Sequence, residues 1–264
     1  MLNRLTRRMR HIGRVFVHID KGRPIALDHA LAEDPNITVT SVHDVHWGHW
    51  SIVLATEHLA EQAMREGCTR LTLLSGACYP LVSDDRLLRL AEDPSDYVDA
   101  HPVTAGEGLD RLRRRHLFPP FKRNRFLVGA WHVAVQRLAG LLPTMEFETL
   151  LHPLQARRGS QFWSVRRETY LAAQKEARSR PELRQLFSRI FCSDECYFQT
   201  LFAHVSPRHI NRGITYVKWG ARGAPDPITV DDVDRHAGKG EYFFIRKICS
   251  SDTAVLERLE KLRH

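Results

Sequence analysis

The sequence has no long hydrophobic run, few cysteines, no internal repeat and no low-complexity tract. No apolar stretch approaches the roughly 20 residues that a membrane-crossing helix needs, and the mean hydropathy is −0.35. Met1 to Arg14 is rich in arginine but lacks the apolar core of a signal peptide. The expectation is a soluble protein not exported by the general route. The 5 cysteines, Cys68, Cys78, Cys192, Cys196 and Cys249, are odd in number and irregularly spaced. That argues against a disulfide framework and fits a reducing compartment. Cys192 and Cys196 could share a helix face, but no paired CxxC or matching histidine group accompanies them, as a structural zinc site would require.

What is present suits an enzyme-sized domain. A chain of 264 residues with 43% hydrophobic content supplies a sizeable core. The net charge of +8 and a pI of about 9.5 suit polyanions: nucleic acid, anionic lipid or a phosphorylated ligand. Much of the charge sits in one stretch, Arg111, Arg113, Arg114, Arg115, Lys122, Arg123 and Arg125, around Pro119-Pro120. Such a run is either a solvated loop or a contact for phosphates, lipid head groups or RNA.

Periodicity sets out the elements. Arg14 to Ile19 reads as a buried strand followed by the turn Asp20-Lys-Gly-Arg-Pro24, and Ile37 to Val42 reads as a second strand. Ile52, Val53, Leu59, Ala60 and Ala63 recur at helical spacing over Ser51 to Glu66, and Gly67 stops that helix. Leu71 to Leu74 is a third strand, leading to the turn Ser75-Gly-Ala-Cys-Tyr-Pro80, and Ser83 caps a helix that Pro94 closes. Helices are expected near Trp131 to Leu142, from Arg167 to Arg178, from Pro181 onward and from Thr253 to Arg263. Strands are expected at Tyr216 to Trp219 and Phe243 to Lys247. The early strand–helix rhythm predicts an α/β domain with a largely parallel sheet. Ligands then sit beyond the carboxyl ends of the strands, at the turns near Asp20 and Ser75.

One carboxylate stands out. In Ser193-Asp-Glu-Cys-Tyr-Phe-Gln-Thr-Leu-Phe202, Ser193 is a good helix N-cap and the acidic residues occupy the first turn. Glu195 would then be a positioned, ionised carboxylate backed by an apolar run, as a general base requires. The same pattern also serves simply to complement the helix dipole.

Six segments in order resemble the core-2/I-branching β-1,6-N-acetylglucosaminyltransferase family, which also contains the peptide O-xylosyltransferases. They are Val15-Phe-Val-His-Ile-Asp-Lys21, Val45-His-Trp-Gly-His-Trp-Ser51, Leu73-Leu-Ser-Gly-Ala-Cys-Tyr-Pro-Leu81, Gly159-Ser-Gln-Phe-Trp-Ser164, Ser193-Asp-Glu-Cys-Tyr-Phe-Gln-Thr200 and Tyr242-Phe-Phe-Ile-Arg-Lys247. The resemblance implies a GT-A-like nucleotide-sugar-binding fold with a mixed, largely parallel central sheet flanked by helices, in one domain over residues 1–264. It implies a UDP-sugar donor, inversion at the anomeric carbon and no divalent metal. The turn where metal-using relatives carry Asp-x-Asp reads Ser75-Gly-Ala-Cys78 here, and Cys78 stands where many members keep an aspartate.

By the same resemblance Glu195 is the catalytic base, and Lys247 neutralises the leaving diphosphate with help from an arginine, Arg222 or Arg246. Lys247 read alone is equally a lysine snorkelling beside an aromatic strand. Asp20 approaches the donor nucleotide or simply initiates the turn before Gly22. Trp47 and Gly48 border the donor pocket or pack strand on helix. Ser160, Gln161 and Trp163 line the acceptor side, although Trp163 suits a core equally well. The implied partners are a UDP-sugar and a glycan or glycolipid acceptor, with peripheral contact to anionic membrane through the arginines and no nucleic acid. The implied location is the cytoplasm, on the inner face of the membrane if membrane-bound. The donor stays open between N-acetylglucosamine and xylose, and a degenerate, non-catalytic polyanion binder is the rival reading. Family members begin with an apolar strand ahead of the segment like Leu5-Thr-Arg-Arg-Met9; the expectation is that either the true start lies upstream or this copy lacks that strand.

Overall fold

Short β-prone runs between glycine- and proline-bearing turns cannot build long strands. The computed structural model describes residues 1–104, 112–113, 116, 134–135, 137–139, 147–206, 209–221 and 223–263. The first half contains α1 (Leu2–Met9), β1 (Val15–His18), α2 (His29–Ala32), β2 (Ile37–Thr40), α3 (Ser51–Arg65), β3 (Arg70–Thr72), β4 (Tyr79–Pro80), α4 (Asp84–Glu92), β5 (Asp96–Tyr97) and β6 (His101–Pro102). The second half contains α5 (Phe147–Leu151), β7 (Arg157–Arg158), β8 (Ser164–Arg166), α6 (Arg167–Ser179), α7 (Pro181–Phe187), a 3-10 turn (Ser193–Glu195) and α8 (Tyr197–Val205). It closes with β9 (His209–Ile210), β10 (Thr215–Val217), α9 (Val230–His236), β11 (Phe244–Arg246) and α10 (Thr253–Glu260). Most of the basic stretch and most of the helix expected at Trp131 to Leu142 lie outside the described residues.

Among the described residues the strands form four small sheets, not the single, largely parallel one expected: β1-β2, β10-β11-β4, β3-β8-β5-β9 and β6-β7. Three pairings are parallel and four antiparallel. The strand–helix rhythm holds from β1 to β3 and then breaks. β8 lies antiparallel between β3 and β5.

Four of the described helices, α1, α2, α5 and α9, were not foreseen. α1 buries Leu5 among its arginines. α9 opens on a capping box in which the Thr229 hydroxyl accepts from the Asp232 N–H and the Asp232 carboxylate accepts from the Thr229 N–H.

The largest apolar cluster packs α3, α6, α7 and α8 against β3 and β8. A second gathers β4, β10, β11, α4, α9 and α10. A small third one lies between β1, β2 and α2. α8 is buried from Tyr197 through Phe202, with Tyr197, Phe198, Leu201 and Phe202 in the core. Each such side chain contributes roughly 2 kcal/mol of burial.

The four-stranded sheet is pinned by a buried carboxylate. Asp96 Oδ1 accepts from the Arg166 N–H at 2.7 Å, and Oδ2 accepts from the Thr169 hydroxyl at 2.6 Å and the Ser206 hydroxyl at 2.5 Å. Asp96→Ala strands all three buried donors, and the expected cost is about 2–4 kcal/mol, read as a lower urea midpoint at unchanged slope.

Candidate active site

Three loops and the end of one strand carry the expected residues, and backbone hydrogen bonds join the loops. Asp20 follows β1. Its Oδ1 accepts from the Gly22 N–H at 3.0 Å and the Val45 N–H at 2.9 Å. It thus initiates the turn, as one of its two readings held, and also ties that turn to the loop before α3. Among the described residues Oδ2 carries no hydrogen bond, which leaves it for a ligand. A Cβ on Gly22 would lie 2.3 Å from Asp44 Oδ1, so a larger residue would displace that exposed carboxylate.

The loop before α3 then meets the Glu195 turn. The Gly48 carbonyl accepts from the Cys192 N–H at 2.8 Å. Gly48 has φ +74, and a Cβ on it would stand 2.3 Å from the Phe191 ring, so only glycine allows this approach. Trp47 is 80% exposed and sets its edge on Phe191, with centroids 5.1 Å apart. Its role is therefore not packing of strand on helix: its face is open to solvent beside the turn.

Glu195 does not sit in a Ser193-capped α-helix. Ser193–Glu195 is a 3-10 turn, Cys196 (φ −134, ψ −38) breaks the run, and the α-helix starts at Tyr197. Cys192 enters the turn in the left-handed region (φ 53, ψ 48), a strained setting for a non-glycine residue. The Ser193 hydroxyl is buried and makes no hydrogen bond among the described residues. The Glu195 side chain is half-buried, and its carbonyl accepts from the Gly159 N–H at 3.0 Å.

That bond brings in the third loop. A Cβ on Gly159 would fall 1.9 Å from the Asp99 carbonyl oxygen, so this position too needs glycine. The Ser160 N–H donates to Asp99 Oδ2 at 2.9 Å, the Ser160 hydroxyl accepts from the Phe162 N–H at 3.2 Å, and the Ser160 carbonyl accepts from Gln199 Nε2 at 2.6 Å. Gln161 is half-buried between them. Trp163 is 2% exposed, with its ring 5.4 Å from that of Phe198 and 4.9 Å from that of Phe202. It is a core residue and offers no face to an acceptor sugar, which corrects that part of the expectation. The residues missed from sequence are Asp99, Phe191 and Gln199, which act on the site through backbone atoms and a ring contact. Their only sequence signal is a polar or aromatic type that many surface residues share.

The cationic side lies at the end of β11. The Arg246 guanidinium stands over the Phe162 ring, 5.1 Å from its centroid, one residue from Gln161. Lys247 is exposed. Its carbonyl accepts from the Ile228 N–H at 3.1 Å, and the next residue, Ile248, donates to the Ala77 carbonyl at 3.0 Å. Burial raises the Cys78 thiol above its ordinary range, while a hydrogen bond from Ser75 and the charge of Arg246 pull it down. Both cations thus border the Ser75–Cys78 turn. Arg222 lies outside the described residues. Among those residues no group of three or more His, Cys, Asp or Glu side chains stands together as a metal-binding set.

Glu195, Gly48, Ser160 and Arg246 therefore belong to one connected set of loops, with the Arg246 guanidinium over the Phe162 ring. The Core-2/I-Branching enzyme family model matches residues 1–241. The chain belongs to this family of glycosyltransferases. No curated protein matches it.

Beside Asp20, three imidazoles crowd together. The His43 ring lies 5.7 Å from that of His18 and 5.9 Å from that of His58, and the His43 N–H donates to His18 Nε2 at 3.1 Å. Burial, then His43 and His58, lowers the His18 pKa, with Asp20 opposing; burial and His58 lower that of His43. A base whose folded pKa is depressed binds fewer protons folded than unfolded in that window, so stability rises with pH. The contribution is complete above about pH 6.5 and is lost as pH falls through the depressed values. The expected result is a urea midpoint that drops as pH falls below about 6.5, with a shallower drop in His43→Asn.

Proposed function

We propose that this glycosyltransferase moves a sugar, N-acetylglucosamine foremost, from a UDP-sugar to a hydroxyl of a glycan or glycolipid, with inversion and without a divalent metal. The observation that carries the reading is the position of Glu195. Its turn is hydrogen-bonded to the Trp47–Gly48 loop on one side and to the Gly159–Gln161 loop on the other. A base in that position stands between a donor bound near Asp20 and an acceptor bound near Ser160.

In the proposed step the Glu195 carboxylate takes the proton of the acceptor hydroxyl. The acceptor oxygen attacks the anomeric carbon from the face opposite the diphosphate. The bond from that carbon to the phosphate oxygen breaks, and UDP leaves with the electron pair. One base suffices, because no covalent sugar–enzyme intermediate forms; a retaining displacement would use two carboxylates close together. Lys247 and Arg246 stabilise charge on the departing diphosphate, the task fixed cations perform best when they are already in place. The GT-A-like reading draws support from the parallel β1–β2 pair with Asp20 just past its carboxyl end.

Placement at the inner face of a cytoplasmic membrane is also a proposal. No helix among the described residues is long and apolar enough to cross a membrane. Arginines in α1 and just after it are committed within the protein: Arg7 pairs with Asp28, Arg8 with Asp84 and, past the helix, Arg10 with Asp34. A peripheral contact would therefore rest on the basic stretch between Arg111 and Arg125.

The test is UDP release from a panel of UDP-sugars with a glycan acceptor, in EDTA. Glu195→Gln is expected to lose about 10²–10⁴-fold in kcat with donor binding retained. A turnover that needs manganese, or a Glu195→Gln variant that keeps its rate, refutes the mechanism. Lys247→Ala is expected to lower kcat by about 10²-fold, while Lys247→Arg recovers part of it. An equal rate in Lys247→Ala would return this residue to a packing role.

A further inference from the structure

An arginine beside the Ser160 loop has no part in the reaction described above. After β9 the chain folds back, the Arg212 N–H donating to the Ile210 carbonyl at 2.7 Å. Asn211 anchors this turn, its Oδ1 accepting from the Ala100 N–H at 2.7 Å. A Cβ on Gly213 would stand 3.7 Å from the Cβ atoms of both Asp99 and Ser160. The turn therefore lies against the two residues whose hydrogen bond shapes the loop, and Gly159 of that loop is bonded to Glu195. Arg212 is half-buried, and its guanidinium lies over the Tyr97 ring, 5.8 Å from the centroid. Among the described residues it makes no ion pair, and its buried Nε–H meets no acceptor. The acid on this side, Asp99, is already occupied: Oδ1 stands 2.9 Å from His101 Nε2, and Oδ2 takes the Ser160 N–H. The Tyr242 hydroxyl feels both charges. Burial, then Glu241 and Tyr216, raises its pKa, while the Arg212 charge lowers it and the Asp99 charge raises it.

Withdrawing a guanidinium from water without giving it an acceptor is costly. The Tyr97 ring offsets part of that cost and leaves the charge and the planar donors intact. We infer that Arg212 selects the acceptor: it binds a carboxylate or phosphate carried by the sugar that presents its hydroxyl to Glu195. This rests on the acceptor lying along Gly159–Gln161, as proposed above. Carboxylate and phosphate share the feature a guanidinium reads, a pair of oxygens facing two parallel N–H groups. The leaving diphosphate is the less fitting partner. Two guanidinia stand over rings near the loop. Arg246, over Phe162, acts on Cys78 of the Ser75–Cys78 turn, whereas Arg212, over Tyr97, stands on the Asp99 side. A neutral acceptor would leave the Nε–H unmatched in the bound state as well. Selection is then by difference: a charged acceptor satisfies a group that a neutral one leaves buried and unpaired.

The test is binding in the absence of any donor, which does not depend on turnover. Calorimetry on the chain of 264 residues compares methyl glucoside, methyl glucuronide and methyl glucoside 6-phosphate. The charged glycosides are expected to bind at least about 10-fold tighter than the neutral one. Arg212→Gln is expected to abolish that preference and leave the affinity for the neutral glycoside unchanged, while Arg212→Lys keeps part of it. Arg212→Met retains an apolar stem over Tyr97 without the charge and is expected to lose the preference too, which covers a glutamine variant that folds poorly. Whichever charged glycoside binds tighter names the source of the anion, a uronic acid or a phosphorylated sugar. Equal binding of charged and neutral glycosides, or a preference that survives in the uncharged variants, overturns the inference. A protein that turns over UDP-sugars without this preference would keep the reaction and lose the acceptor class. A preference without turnover would do the reverse.

Discussion

A buried carboxylate behind the Glu195 turn holds the helices that position it. Glu57, on α3, receives Arg184 of α7 as a bidentate pair, Nη1 to Oε1 at 2.8 Å and Nη2 to Oε2 at 2.8 Å. The Tyr197 hydroxyl, in the first turn of α8, donates to Oε1 at 3.2 Å, and Gln174 Nε2 of α6 lies 3.3 Å from the same oxygen. Burial, with Glu57 beside it, pushes the Tyr197 hydroxyl well up its scale and keeps it a donor. Removing the Glu57 carboxylate would strand the buried Tyr197 hydroxyl and Gln174 amide, at a cost of about 1–3 kcal/mol for each donor left unpaired. The arrangement is therefore all or none: four helices meet correctly, and α8 starts where Glu195 needs it, or the network is lost.

Close approach does the rest. Three loops converge on the site at Gly22, Gly48 and Gly159, where added methyl groups would stand 1.9–2.3 Å from a neighbouring atom. Gly48 needs glycine for its backbone angle, at φ +74, and Gly159 needs it for space against the Asp99 backbone, whereas a side chain at Gly22 would displace only the exposed Asp44 carboxylate. Short backbone hydrogen bonds replace the side-chain contacts that bulkier residues would make. A site built this way has little slack, which suits a reaction whose attacking oxygen, anomeric carbon and leaving oxygen must stay in line.

Sequence and structure agree where the signal is local and periodic. Ser51–Arg65 and Arg167–Ser179 follow the 3.6-residue pattern within a residue or two, and β1, β2 and β11 coincide with the apolar runs that predicted them. The turn at Ser193 was misread for a physical reason. An N-cap serine ahead of acidic residues is the usual signature of an α-helix, but Cys192 in the left-handed region sends the chain through a 3-10 turn first. Trp163 shows the limit of residue type: a tryptophan face serves a sugar or a core, and only its neighbours, Phe198 and Phe202, decide. Sheet order was least legible. Pairing of β3 with β8 joins residues more than ninety positions apart, and no local pattern encodes it.

The two ends of the proposed reaction place different demands on this scaffold. At Glu195 the demand is orientation, met by backbone bonds to both flanking loops and a buried helix behind. At Lys247 and Arg246 the demand is charge. Arg246 is half-buried against Phe162, where its guanidinium is held by a ring rather than by a carboxylate. Some other cations of the described chain are matched by acids, as Lys218 is by Asp232 at 2.8 Å and Arg184 by Glu57. A guanidinium neutralised by a carboxylate has little left to offer a phosphate; one held over a phenyl ring keeps its full charge and its planar donors. The pairing of Arg246 with Phe162 thus positions a cation without consuming it, which is the property a leaving diphosphate requires of its surroundings.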